Sequence, residues 1–177
     1  MSGEAAPEPW QIQGGTNQAT ANTQNIYQTG SVAVGVNEIP TAEVTATNPK
    51  LYVAGNITAT GKIFTTNSVY ADYVFEKYFE GQSEINPDYE FPSLHYVKDF
   101  IKTNHHLPGV VSIDALKKVQ DGYAFDMTKL TIQSLEKIEE LYIHTIEQQD
   151  KIDQQAKELA AMKARLERLE KLLVTEE

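Results

Sequence analysis

The residues able to do chemistry are few and poorly spaced for it. The chain holds four histidines, His95, His105, His106 and His144, and no cysteine. Without thiols there is no disulfide, no thiolate zinc site and no cysteine nucleophile. His105 and His106 are adjacent, so their rings cannot face one way on a regular element, and no Asp or Glu stands at helical spacing from them. One chain is therefore not expected to hold a metal; three copies of His105 or His106 meeting on an axis are the only arrangement that would. Ser93 and His95 do not make a nucleophile–base pair, because Ser93 is better used as a helix cap. A glycan hydrolase would need paired acids on a β-scaffold. Asp72 with Glu76, and Asp88 with Glu90, are the clustered acids ahead of the C-terminal third, and they read as turn residues with no repeated framework around them. Gly14-Gly15 has no lysine near it, so no phosphate loop is read there. The expectation is no enzymatic activity, no cofactor and no bound metal.

Charge narrows the partners further. Fifteen basic against 25 acidic side chains leave a net charge of −10. Nucleic-acid binding needs a basic face, and none is visible. No apolar run approaches the roughly 18 residues that span a bilayer, so no membrane insertion is expected. Met1-Ser2-Gly3-Glu4-Ala5 has neither a basic start nor an apolar core, so synthesis in the cytoplasm without a signal peptide is expected.

The elements that must position these residues change along the chain. Seven of the ten glycines precede Lys62, no Pro follows Pro108, and no charge occurs between Pro9 and Asn37. Within that uncharged stretch Trp10, Ile12, Ile26 and Tyr27 stand among Gln, Asn and Thr. Val32, Val34 and Val36 alternate around Gly35. These read as short strands with no sheet of their own, which order most easily on another chain. Residues 1–50 are thus an extended arm, and Trp10, Ile12, Ile26, Tyr27, Val32 and Val34 are its candidate attachment residues.

Residues 51–71 carry a short repeat. The hexads Ala54–Ala59, Thr60–Thr65 and Thr66–Ala71 each place Gly or Asn second, a β-branched residue fourth, and Thr or Ala sixth. Three chains each giving such a ribbon would close a β-prism with no free edge; a meander of ordinary hairpins is the alternative. Residues 72–128 are aromatic-rich, with Tyr73, Phe75, Tyr78, Phe79, Tyr89, Phe91, Tyr96, Phe100, Tyr123 and Phe125 as the candidate core. Ser93 caps one helix there, with Leu94, Val97, Phe100 and Ile101 on one face. Leu107-Pro108-Gly109 is a turn. Ser112 is expected to cap a second helix over Ile113–Asp121, ended by Gly122. A core of this size is thin and is expected to depend on oligomerisation.

Residues 129–177 read as one helix with Asp126 as N-cap. With Ile138 at heptad position a, the later a positions are Thr145, Ile152, Leu159, Leu166 and Leu173; the d positions are Leu141, Gln148, Gln155, Met162 and Leu169. The register runs without a stutter over about five heptads, the signature of a coiled coil. Glu158 and Arg165 at g meet Lys163 and Glu170 at the next e, attractive in a parallel arrangement. Thr145, Gln148 and Gln155 are polar layers that set register and oligomer number. The acids at b, c and f are expected to be solvated. Arg165-Leu166-Glu167-Arg168-Leu169-Glu170 resembles the Arg-apolar-x-x-apolar-Glu pattern of parallel trimers. The expected fold is α+β and fibrous: a homotrimer with an extended β-ribbon or β-prism, a small α-rich module and a parallel trimeric coiled coil.

Several short motifs stand in a telling order. They are Asn25–Gly35, Lys50–Ile57, Ala71-Asp72-Tyr73-Val74-Phe75-Glu76, Phe91-Pro92-Ser93-Leu94, His106-Leu107-Pro108-Gly109-Val110 and Lys137-Ile138-Glu139-Glu140-Leu141-Tyr142. Together they resemble the C-terminal module and glycine-rich lead-in of tail-fibre and surface-fibre proteins from Bacteroidetes and their phages. The resemblance implies a trimeric structural protein of a phage tail or phage-like contractile injection particle, either a fibre or a baseplate-associated piece. Its implied partners are sister chains, tail or baseplate proteins and a host-surface receptor. Its implied destination is a virion or extracellular particle. Some fibre modules cleave themselves with a Ser–Lys dyad; Tyr70–Phe75 stands where their Ser-Asp-Arg-x-Leu-Lys stretch would, so self-cleavage is not implied. A trimerisation chaperone or adhesin stalk is the alternative, and a glycan hydrolase the remote one.

Overall fold

The computed structural model describes residues 10–40, 48–66, 69–120 and 122–174. The chain is mixed α/β, with short two-stranded sheets, two short helices and one long C-terminal helix. It divides into two compact units. One takes in the described residues up to Phe64 together with Leu116–Phe125; the other takes in Thr65–Ala115 and the described residues from Asp126. In this division the aromatic module and the long helix fall in one unit, and a hairpin inside 72–128 groups with the arm.

In the first unit the arm's strands find partners within the chain. β1 (Gln11–Ile12) pairs antiparallel with β2 (Ile26–Tyr27), and β3 (Val32–Val34) pairs parallel with β4 (Leu51–Val53). The expectation of strands with no sheet to join is corrected: backbone groups pair with each other before they need another chain. Gly35 ends β3 at φ +85°, where a Cβ would stand 2.9 Å from the Ala54 carbonyl oxygen, so only glycine fits. The hexads behave differently. No strand forms over residues 54–66, and Ile57 and Ile63, the β-branched residues of the first two, are exposed. Asn67 and Ser68 of the third hexad lie outside the described residues.

The expected helix over Ile113–Asp121 is also corrected. Ile113–Ala115 makes one 3-10 turn, and then β5 (Lys117–Val119) pairs antiparallel with β6 (Gly122–Ala124). A glycine that would end a helix equally serves a tight hairpin.

The second unit is built from α1 (Tyr73–Glu80), α2 (Leu94–Asn104) and the first half of α3 (Met127–Val174). α1 ends at Gly81, φ 81°, whose N–H donates to the Lys77 carbonyl. Ser93 Oγ accepts from the Tyr96 N–H at 3.2 Å and starts α2, as its sequence position requires. Asp126 Oδ1 accepts from the Lys129 N–H at 3.0 Å and starts α3. The buried apolar residues are Ala71, Tyr73, Val74, Tyr89 and Ile143, with Val69, Phe91 and Leu135 packed on them. Of the ten aromatic residues expected in the core, only Tyr73 and Tyr89 are buried; Phe75, Tyr78, Phe79, Tyr96, Tyr123 and Phe125 are exposed. The thin core is thus thinner than composition suggests.

Candidate functional site

α3 has two faces with opposite fates. Its 48 residues span about 72 Å at 1.5 Å per residue. Over its first half one face packs on the module. Ile143 and His144 are buried there, and so are Glu139 and Glu140. Those positions are f, g, b and c of the heptad. The a and d positions point elsewhere. Ile138, Leu141, Thr145, Gln148, Ile152, Gln155, Leu159, Met162, Leu166 and Leu169 are all exposed, as are the flanking Arg165 and Glu170. The side chain of Leu173 lies outside the described residues. From Gln148 to Leu172 every residue is exposed.

The covered face corrects the expectation that acids at b, c and f are solvated. Tyr73 donates its hydroxyl to Glu136, and Tyr89 donates to Glu140 Oε1 at 2.9 Å. Lys137 Nζ lies 2.5 Å from Glu136 Oε1 and 2.8 Å from Glu140 Oε1. The two rings pack at 4.9 Å between centroids. Donors supplied by two tyrosines and one lysine are what let these carboxylates leave water. Burial, and then the Glu136 carboxylate, push the Tyr73 phenol well up; burial and Glu140 do the same to Tyr89. Glu139 is the exception: it is 7% exposed, and its Oε2 is buried without a hydrogen-bond partner among the described residues. Desolvation first, then Asp72 and Glu136, raise its carboxyl above the ordinary range.

The turn Leu107-Pro108-Gly109 docks on this face. Gln133 Nε2 donates to the Gly109 carbonyl at 2.6 Å. Gly109 has φ +77°, and a Cβ there would sit 3.0 Å from Glu136 Oε1 and 3.3 Å from Lys137 Nζ. Beside the turn lies an open cleft of about 340 Å³ lined by Tyr89, Tyr96, Pro108 and Lys137 among others.

Each histidine has a local use. His144 Nε2 lies 2.9 Å from the Pro92 carbonyl, its Nδ1 is 3.4 Å from Glu147, and its ring packs on Phe91 at 4.7 Å. Tyr78 donates to Glu147 Oε1 at 2.9 Å, which is the main cause holding that carboxyl below its usual range. His105 occupies the α2 C-cap in the left-handed region, φ 59°. His106 Nδ1 lies 2.9 Å from the Leu107 carbonyl, and His95 lies 3.3 Å from Asp99. Among the described residues no group of three His, Asp or Glu converges as a metal site would require.

Two of the acids clustered ahead of α3, Glu76 and Glu90, are also employed structurally. Glu76 is in α1, not in a turn, and accepts from Ser83 Oγ at 2.5 Å and from the Glu84 N–H at 3.1 Å. The Ser83 bond is the first cause lowering its pKa. Glu90 pairs with Lys77 at 2.8 Å. In the arm, Ile12 pairs with Ile26, Tyr27 donates to Gln11 Oε1 and to the Gly15 carbonyl, and Val32 and Val34 face Leu51 and Val53. Trp10 is half-buried beside an uncharged cavity of about 560 Å³ that Ile26, Thr20, Asn22 and Gln24 also line.

Sequence reasoning missed α1, the Tyr–Glu–Lys cluster and the burial of His144. Gly81 at a C′ position was the one signal for α1; nothing local marks the other two. No family model, no curated protein and no solved structure matches the chain.

Proposed function

We propose that this chain is a structural subunit that assembles as a parallel homotrimer and serves as a fibre-like or baseplate-associated part of a phage tail or phage-like contractile injection particle. The observation that carries the reading is the division of α3. The module covers b, c, f and g positions and leaves the a/d row from Ile138 to Leu169 open. A helix exposed on every side is marginal in water, because most helical stability in proteins comes from a packed apolar face. Sister helices on the a/d row supply that packing. The Glu158–Lys163 and Arg165–Glu170 pairs favour the parallel arrangement, and the Arg-Leu-x-x-Leu-Glu stretch at Arg165–Glu170 favours three chains. The motif order between Asn25 and Gln148 supports the fibre side of the reading. The structural rather than catalytic reading is supported by the use of Glu76 and Glu90 in holding a loop and a lysine. The arm, with Trp10 beside its cavity, is the attachment end. Its two-stranded ribbons offer backbone edges to which a tail or baseplate subunit can add a strand.

Sedimentation equilibrium on the purified chain tests the assembly, with a mass three times that of the chain as the expected result. A monomer or an antiparallel dimer overturns it. Quantitative mass spectrometry of particles pelleted from producing cells tests the destination. A copy number divisible by three is expected, and absence from the particles refutes that half of the reading.

A further inference from the structure

The contact between neighbouring protomers extends beyond the a/d row. Tyr142 occupies position e, next to the seam, and is 65% exposed. Its hydroxyl has no hydrogen-bond partner among the described residues. Ile146, one turn on, is exposed as well. A large amphipathic ring in such a place is most often covered by a partner. Five residues before Tyr142 stands Lys137 at position g, and Lys137 lines the same cleft as Tyr89, Tyr96 and Pro108. In a parallel coiled coil the e residue of one helix lies beside the g residue, five positions earlier, of its neighbour. The register that brings Lys163 to Glu158 therefore brings Tyr142 to a neighbour's Lys137.

We propose that Tyr142 of each protomer seats in the Lys137 cleft of the adjacent protomer. The chemistry of the cleft fits this occupant. Tyrosine and proline in the lining suit the ring, and the aliphatic stem of Lys137, whose ammonium is held by Glu136 and Glu140, adds an apolar contact. Asp88 and Glu90, also in the lining, can accept a hydrogen bond from the phenol. A carboxylate in that place would be repelled. Because each protomer gives one ring and one cleft, the contact is heterologous and closes after three steps. The module then clamps its own helix on one side and its neighbour's on the other.

The inference rests on the parallel trimer, so the test separates the two. The chain has no cysteine, so a double variant Tyr142→Cys, Pro108→Cys reports on this contact alone. Mild oxidation of that variant should give a denaturing-gel ladder of covalent dimer and trimer, and neither single variant should. A species that sediments as a trimer but forms no ladder, or only an intrachain bond, overturns the clamp and leaves the trimer standing. A species that sediments as a monomer overturns both. Separately, Tyr142→Ser should raise the concentration at which trimers dissociate by about tenfold, as loss of one aromatic anchor does, while Tyr142→Phe should stay near the parent. An unchanged dissociation concentration for Tyr142→Ser also refutes the clamp.

Discussion

Glu139 is a buried carboxyl whose Oε2 has no hydrogen-bond partner among the described residues. Its carboxyl is raised by desolvation and by two other acids, so the fold favours the protonated form. The sign follows: stability associated with Glu139 is present at acid pH and is lost as pH rises from the ordinary carboxylate range through the raised value. Glu139→Gln should therefore stabilise the module by about 1 kcal/mol near neutral pH, with the gain fading as pH falls through the raised value and gone once pH is below the ordinary carboxylate range. Denaturant midpoints across that range measure it. Glu147 acts in the opposite sense, because its lowered pKa gives stability above the ordinary carboxylate range that is lost on acidification. Tyr73 and Tyr89 set the alkaline limit. Both phenols are raised in the folded state, so stability falls as pH rises above about 10. Absorbance at 295 nm should show these two tyrosines ionising only as circular dichroism records unfolding. Early ionisation of all nine tyrosines, with the fold intact, would contradict the buried cluster.

Elements with local or periodic signatures were the legible ones. Ser93 and Asp126 could be read as caps because a cap depends on one side chain and the next turn. The a/d row could be read because it repeats. The stretch Ile113–Asp121 misled because Ala115, Leu116, Lys117 and Lys118 have helical propensity, while the hairpin that forms there depends on tertiary pairing. The Tyr–Glu–Lys cluster was illegible for a related reason. Heptad bookkeeping assigns b, c and f to solvent, and that holds only where nothing packs on the outside of the helix. The second half of α3 meets that condition, so a seam residue there probes the assembly without touching the module. Leu166→Asp should collapse the oligomer, since each buried unpaired charge costs several kcal/mol. The packing of Tyr73, Tyr89 and Ile143 should survive, and retained near-ultraviolet circular dichroism with a monomeric mass checks both halves of that expectation.

At the scale of the molecule, the pairing found in the arm moves the informative truncation point. Cutting at Asn37 would remove β3 and strip β4 of its partner. Cutting after Gln28 removes Trp10, β1 and β2 and leaves the β3–β4 pair intact. The shorter deletion should give a soluble trimer that no longer joins its particle, measured by co-sedimentation with the particle. A truncated chain that still joins places attachment in another part of the chain, and one that no longer trimerises makes the arm part of the trimer fold.

The open seam of α3 also bears on the fate of a chain made alone. From Gln148 to Leu172 every residue is exposed among the described residues, so that half of the helix has no packed face of its own to hold it. In the proposed trimer that stretch would be covered by sister helices, so a single copy and an assembled one should differ in their resistance to proteases. Limited proteolysis should cut the unassembled chain within residues 148–172 and spare the assembled one, and equal cleavage of both would mean that the seam stays open.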